Sequence, residues 1–167
     1  MATKLDISGA WTGEYRYSTP DEEALGAVGF TLMLNKGWFG KFCGTVQNDP
    51  AKGMLEEGEV SGRLLCGRLK MEKRYPVCRV SYKGQLQTIG EMLRDQGVDV
   101  PEDVEPPHLP IEYKGAFTDQ NMAEGSWLIH AGTIEFWGFA WQISSTFGTW
   151  RMWRNTRPQP PSAFVLP

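Results

Sequence analysis

The sequence predicts an all-β fold, a single antiparallel up-and-down β-barrel of about eight to ten strands with one short helical insertion. Three observations lead there. Segment after segment alternates apolar and polar residues with period two. Most gaps between these segments have hairpin length and leave no room for the helical crossovers of a parallel sheet. Glycines recur on the inward parity class, where a tightly coiled sheet must bend or admit a close neighbour.

In chain order, the alternation predicts strands at 10–17, 27–35, 38–47, 57–64, 66–75, 77–84, 111–118, 124–130, 133–142 and 147–154. Side chains alternate faces along a strand, so one parity class of each faces the core. In the first strand that class is Trp11, Gly13, Tyr15 and Tyr17. In 38–47 it is Trp38, Gly40, Phe42, Gly44 and Val46. Further on come Gly67, Leu69, Met71, Lys73 and Tyr75, then Cys78, Val80, Tyr82 and Gly84, then Ile111, Tyr113, Gly115 and Phe117. "VSYKGQ" (80–85) and "IEYKGA" (111–116) thus repeat one pattern: an inward aromatic, an outward charge and an inward glycine.

Residues 1–155 are therefore expected to form the barrel domain, interrupted at 85–110 by a helical and acidic insertion. Leu86, Ile89, Met92 and Leu93 approximate helical spacing over 86–96, and an acidic, proline-rich stretch follows. A connection this long is often a lid or binding loop. The expectation is that it folds over one barrel mouth, its acidic residues facing a basic wall on 57–84. The tail 156–167 is too proline-rich for a helix or central strand, and its Phe164, Val165 and Leu166 are suited to dock on the barrel or on a partner.

"ISGAWTGEY" resembles the Gly-x-Trp opening strand of calycin barrels, the avidin-like and lipocalin-like group, and "YKGAFTDQNMAEGSWLIHAGT" resembles the late avidin hairpin. The resemblance covers residues 7–17 and 111–154 best. It implies a cavity that could hold a small ligand, without implying which. The insertion departs from the eight-stranded pattern of that family.

Composition bounds the function. A net charge of -3 excludes a strongly basic nucleic-acid binder, and nucleic acid is not expected as a partner. No apolar run approaches the roughly 18 residues of a membrane helix, so no membrane association is expected. The N-terminus has no apolar signal segment, and Cys43, Cys66 and Cys78 read as reduced thiols of a cytoplasmic protein. No nucleophile elbow, phosphate loop, zincin helix or dinucleotide fingerprint appears, so no catalytic residue, metal or cofactor is assigned.

The candidate site is the aromatic interior: Trp11, Tyr15, Trp38, Lys73, Tyr82, Tyr113 and Trp127 as ligand-binding residues for a small apolar or aromatic ligand. The same rings could equally be a packed core with hydroxyls at the mouths. Lys73 calls for a cavity carboxylate, an anionic ligand or a rim position, and the rim is expected. His108 and His130 read as turn or surface residues, His108 also as a candidate lid residue or heme ligand. A rival reading makes the chain a protein-interaction module using the barrel exterior, the insertion or the tail. Its partner surface would be Arg68, Lys70, Arg74 and Arg79, with exterior aromatics such as Phe39.

Overall fold

The computed structural model describes residues 5–20, 23–82 and 85–155. The tail 156–167, with its docking residues, lies outside the described residues, as do Lys83 and Gly84. Eight strands close a barrel: β1 (Gly9–Tyr17), β2 (Val28–Lys36), β3 (Lys41–Asn48), β4 (Gly58–Leu65), β5 (Arg68–Arg74), β8 (Ile111–Asp119), β9 (Met122–Ile129) and β12 (Thr146–Arg154). Every barrel pair is antiparallel, each strand pairs with the next barrel strand, and β1 pairs with both β2 and β12 to close the ring. The remaining strands form two satellite hairpins, β6 (Arg79–Tyr82) with β7 (Gln85–Thr88), and β10 (Gly132–Phe136) with β11 (Phe139–Ile143). The one α-helix among the described residues, α1, is Ile89–Asp95.

The inward glycines now have a cause. Register places Gly13 opposite Phe30, Gly62 opposite Phe42, and Gly148 opposite Trp127. A Cβ on Gly148 would lie 2.7 Å from the Trp127 indole nitrogen, and one on Gly115 would lie 2.6 Å from the Trp150 ring. Each glycine leaves the space that a neighbouring ring fills, so the tightly coiled wall and the large aromatics fit together. Trp11, Leu69, Trp150 and Met152 are buried in this core.

All the long connections leave one end of the barrel, and the short turns lie at the other. Cys66 and Gly67 both take positive φ (48° and 76°) in the two-residue loop between β4 and β5. That is the geometry whose twist matches a hairpin. Trp137 and Gly138 do the same (φ 53° and 78°). They fold the stretch expected as one strand, 133–142, into the β10–β11 hairpin.

Three further expectations are corrected. The described part of 77–84 forms no barrel strand: 79–82 pair with 85–88 outside it, and β5 pairs directly with β8. Residues 38–40 form a 3-10 turn at the β2–β3 tip, with Phe39 at φ 54°, so β3 begins only at Lys41. The helix is shorter than 86–96 because 85–88 are extended and Thr88 caps α1: its hydroxyl accepts from the Glu91 N–H, and Glu91 accepts from the Thr88 N–H.

The insertion builds a core of its own. Ile89, Leu93 and Val100 bury with Cys78 and with Ile134 of β10, a cluster separate from that of the barrel. Two bonds seat it at the barrel end: the Cys78 N–H donates to the Pro106 carbonyl, and the His108 N–H to the Tyr75 carbonyl. Of the basic wall expected to clasp the acidic stretch, Arg79 is raised in basicity first by its bond to Glu56, and it lies close enough to Glu91 and Glu105 for their charges to add to that rise; Lys83 lies outside the described residues. Arg94 pairs with Glu105 inside the insertion and Arg79 pairs with Glu56. No ion pair among the described residues joins the acidic stretch to Arg63, Arg68, Lys70 or Arg74. Glu105 also accepts from the Thr88 hydroxyl and the Gly90 N–H, so its charge is satisfied locally.

Candidate functional site

Two places depart from what a mere scaffold needs. The first is inside the barrel. Lys73 faces inward from β5 and has no exposed surface, so the rim position expected for it is overturned. Its Nζ makes no hydrogen bond and lies 3.6 Å from the Phe30 ring centroid and 4.2 Å from that of Tyr113. Burial pushes this amine well below its usual 10.5. Phenols surround the same end of the interior. The Tyr75 hydroxyl donates to Asn48 Oδ1 (3.1 Å), and Tyr15 meets Trp127 edge to face. Burial, and then the neighbouring phenols, raise the Tyr15 and Tyr113 hydroxyls above their usual value.

Of the interior residues singled out from sequence, Trp11, Tyr15, Lys73, Tyr113 and Trp127 do come together in the barrel core. Trp38 and Tyr82 do not. Trp38 is 84% exposed on the β2–β3 tip, because the chain turns there instead of continuing as strand. Tyr82 ends β6 in a satellite hairpin. The indole N–H groups serve the fold: Trp11 donates to the Ile7 carbonyl, Trp127 to that of Arg16 and Trp150 to that of Ser126. Those rings are anchored as core, which leaves Lys73 as the interior group whose chemistry the fold does not use.

The second place is the turn end. Trp38 and Phe39 (82% exposed) stand clear of the surface on one tip, and Leu65 is half exposed on the neighbouring tip. The Phe39 carbonyl accepts from Arg63 Nε (3.3 Å), which ties the two hairpins together. One pleat below the tips, register sets four cations side by side across β3, β4, β5 and β8: Lys41 opposite Arg63, Arg63 opposite Lys70, and Lys70 opposite Lys114. All four are exposed, and none has a carboxylate partner among the described ion pairs. Like charges directly opposite in a sheet are destabilising, so this row is a cost to the fold.

The partner surface expected from sequence divides accordingly. Arg74 pairs with Glu72 (2.5 Å) and Arg79 with Glu56 (2.5 Å), whereas Arg68 and Lys70 stay with the cationic row. Lys41 and Lys114 escape a strand-by-strand reading because only cross-strand register reveals that they extend the row. His108 is held at the barrel end, its Nδ1 2.6 Å from the Leu109 carbonyl and its ring edge-on to Tyr75. Burial lowers its basicity. His130 lies exposed 3.3 Å from Glu112.

No group of three His, Cys, Asp or Glu among the described residues is arranged to hold a metal ion. No helix among the described residues is long and apolar enough to cross a membrane. Compared with protein-family models, curated proteins and solved structures, the chain matches none of them.

Proposed function

We propose that this chain is a non-catalytic interaction module, in which the barrel is a rigid scaffold and its turn end is the docking face. The observation that carries this reading is the exposure of Trp38 and Phe39 on a tip fixed by a left-handed residue and an arginine contact. Large aromatics are normally the most rewarding residues to bury. Two of them held in water beside a row of four cations, none with an ion-pair partner among the described residues, mark a surface awaiting a partner. The closed interior favours the same reading, since opposed glycines and rings fill it and no water-sized space adjoins Trp11 or Lys73.

The test is a photo-crosslinking residue placed at position 38 or 65 in the native host, with position 149 on the far wall as control. Adducts from 38 and 65 that are missing from 149 are expected. Equal labelling from all three positions would remove the turn end from the account.

A second reading, a calycin-like barrel that binds a small molecule inside, rests on Lys73. A buried amine with no acceptor is suited to an anionic head group, with Tyr15, Tyr113 and Trp127 along the ligand. Such a ligand would have to displace Phe30 from the amine. Native mass spectrometry of protein from its host decides it: a small-molecule adduct lost in Lys73→Met supports this reading, and a bare mass for the wild type rejects it.

A further inference from the structure

We propose that the partner of the turn end is an anionic lipid interface, onto which the barrel docks without crossing it. This inference rests on the docking reading above and names the partner class. It also reverses the expectation, drawn from the lack of a spanning segment, that membranes play no part.

The argument is one of shape and spacing. Trp38 and Phe39, at 84% and 82% exposure, border an open concavity that they share with Leu5, Lys36 and Leu65. Their outer faces remain in water, and a bilayer interface closes around a protruding ring on every side. Trp and Phe are also the side chains suited to that boundary. The cationic row sits two residues back along β4, from Leu65 to Arg63, which at strand rise is about 7 Å. Apolar groups of peripheral anchors enter roughly 5–10 Å past the headgroups, so rings at that depth leave the row at phosphate level.

The row itself spans three strand gaps, about 14 Å, and Lys36 and Arg68 add charge beside the tips. An anionic surface offsets the like-charge repulsion that the barrel alone leaves standing. The third turn at this end is polar, with Asp119 accepting from the Asn121 N–H. Only the β2–β3 and β4–β5 hairpins enter, so the barrel docks tilted onto that edge. Asp6, also at this end, is engaged by the Ser8 N–H.

Co-sedimentation of the full chain with vesicles of phosphatidylcholine alone, and of phosphatidylcholine mixed with phosphatidylserine, tests the proposal. Binding to the mixed vesicles is expected to exceed binding to neutral ones by about tenfold or more, and to fall as salt is raised. Lys70→Glu should weaken it by about fivefold or more. Trp38→Ser with Phe39→Ser should abolish it, with an unchanged circular dichroism spectrum because both side chains are already in water. No vesicle binding, together with protein adducts from position 38, would overturn the lipid assignment and leave the docking reading intact. A wild-type dimer that the double variant dissociates would do the same, assigning the face to a second copy. No vesicle binding and no adducts specific to position 38 would overturn both.

Discussion

Lys73 shows how much one buried group can cost a small barrel. Its amine has left water for two ring faces, without an acceptor. An unsatisfied buried polar group costs on the order of 1–3 kcal/mol, and an aromatic face returns part of that only while the amine is charged. Lys73→Met, of similar length and without the polar head, is therefore expected to raise stability by about 1–3 kcal/mol in urea denaturation. The pH dependence provides a second readout. Folding holds the amine below its usual 10.5, so between the two values the unfolded chain binds more protons, and the wild type gains stability as pH rises through that window. The Lys73 penalty is gone above the unfolded value and fully present below the folded one. The buried phenols act in the opposite sense, but only above about pH 10. In the pH range just below the usual 10.5, Lys73→Met should flatten the rise. A variant that unfolds more easily, with the slope retained, would show that the amine makes a favourable contact.

At the scale of elements, Thr88 is one of the residues that tie the two halves of the insertion together. Thr88 Oγ1 accepts from the Glu91 N–H at 3.0 Å and donates to Glu105 Oε1 at 2.5 Å, joining the first turn of α1 to the acidic stretch. Losing such a cap costs about 0.5–2 kcal/mol, and here it also deprives a part-buried carboxylate of a donor. Thr88→Ala is thus expected to speed hydrogen exchange across 89–98 while the amides of β1 and β12 keep their protection. Uniform acceleration over the whole chain would show that the insertion and the barrel are one cooperative unit. Of the apolar anchors read from sequence, Ile89, Met92 and Leu93 are buried, whereas Leu86 lies half exposed on β7. The destination of the buried anchors was not readable in advance, because Ile134, which completes their cluster, lies more than forty residues away on a hairpin that read as a single strand.

Over the whole molecule, the two cores differ in kind. The barrel closes on itself and leaves no strand edge, whereas the second core joins one short helix to two-stranded hairpins, which are marginal alone. Two tiers of protection are expected in native-state hydrogen exchange. Barrel amides should open only with global unfolding, and amides of β6, β7, β10, β11 and α1 at a lower free energy. A single tier would mean that the backbone bonds from Cys78 and His108 fuse the two cores. The division of labour follows the topology: long connections and the second core occupy one end, with Trp137, Phe139 and Phe147 about half exposed there, and short hairpins carry the more exposed Trp38 and Phe39 at the other.

What the sequence by itself determined was local and periodic. Alternation with period two set the strand class and, in β1, β5 and β8, the inward residues Trp11, Tyr15, Leu69, Met71, Lys73 and Tyr113. The antiparallel order followed from gap length. Tertiary structure decided whatever depends on which strands are neighbours. Trp38 and Tyr82 have the parity of core residues, yet the chain turns at Phe39 and leaves the barrel after Tyr75, and parity is blind to both events. Lys73 reads from sequence as a rim residue, but only the closed ring shows that Phe30 and Tyr113 cover it. The cationic row exists in no single segment. It arises because register brings Lys41, Arg63, Lys70 and Lys114, from four strands, to one height on the wall. Periodicity is a property of backbone geometry within a strand, and register is settled by side-chain packing between strands, which no single segment contains.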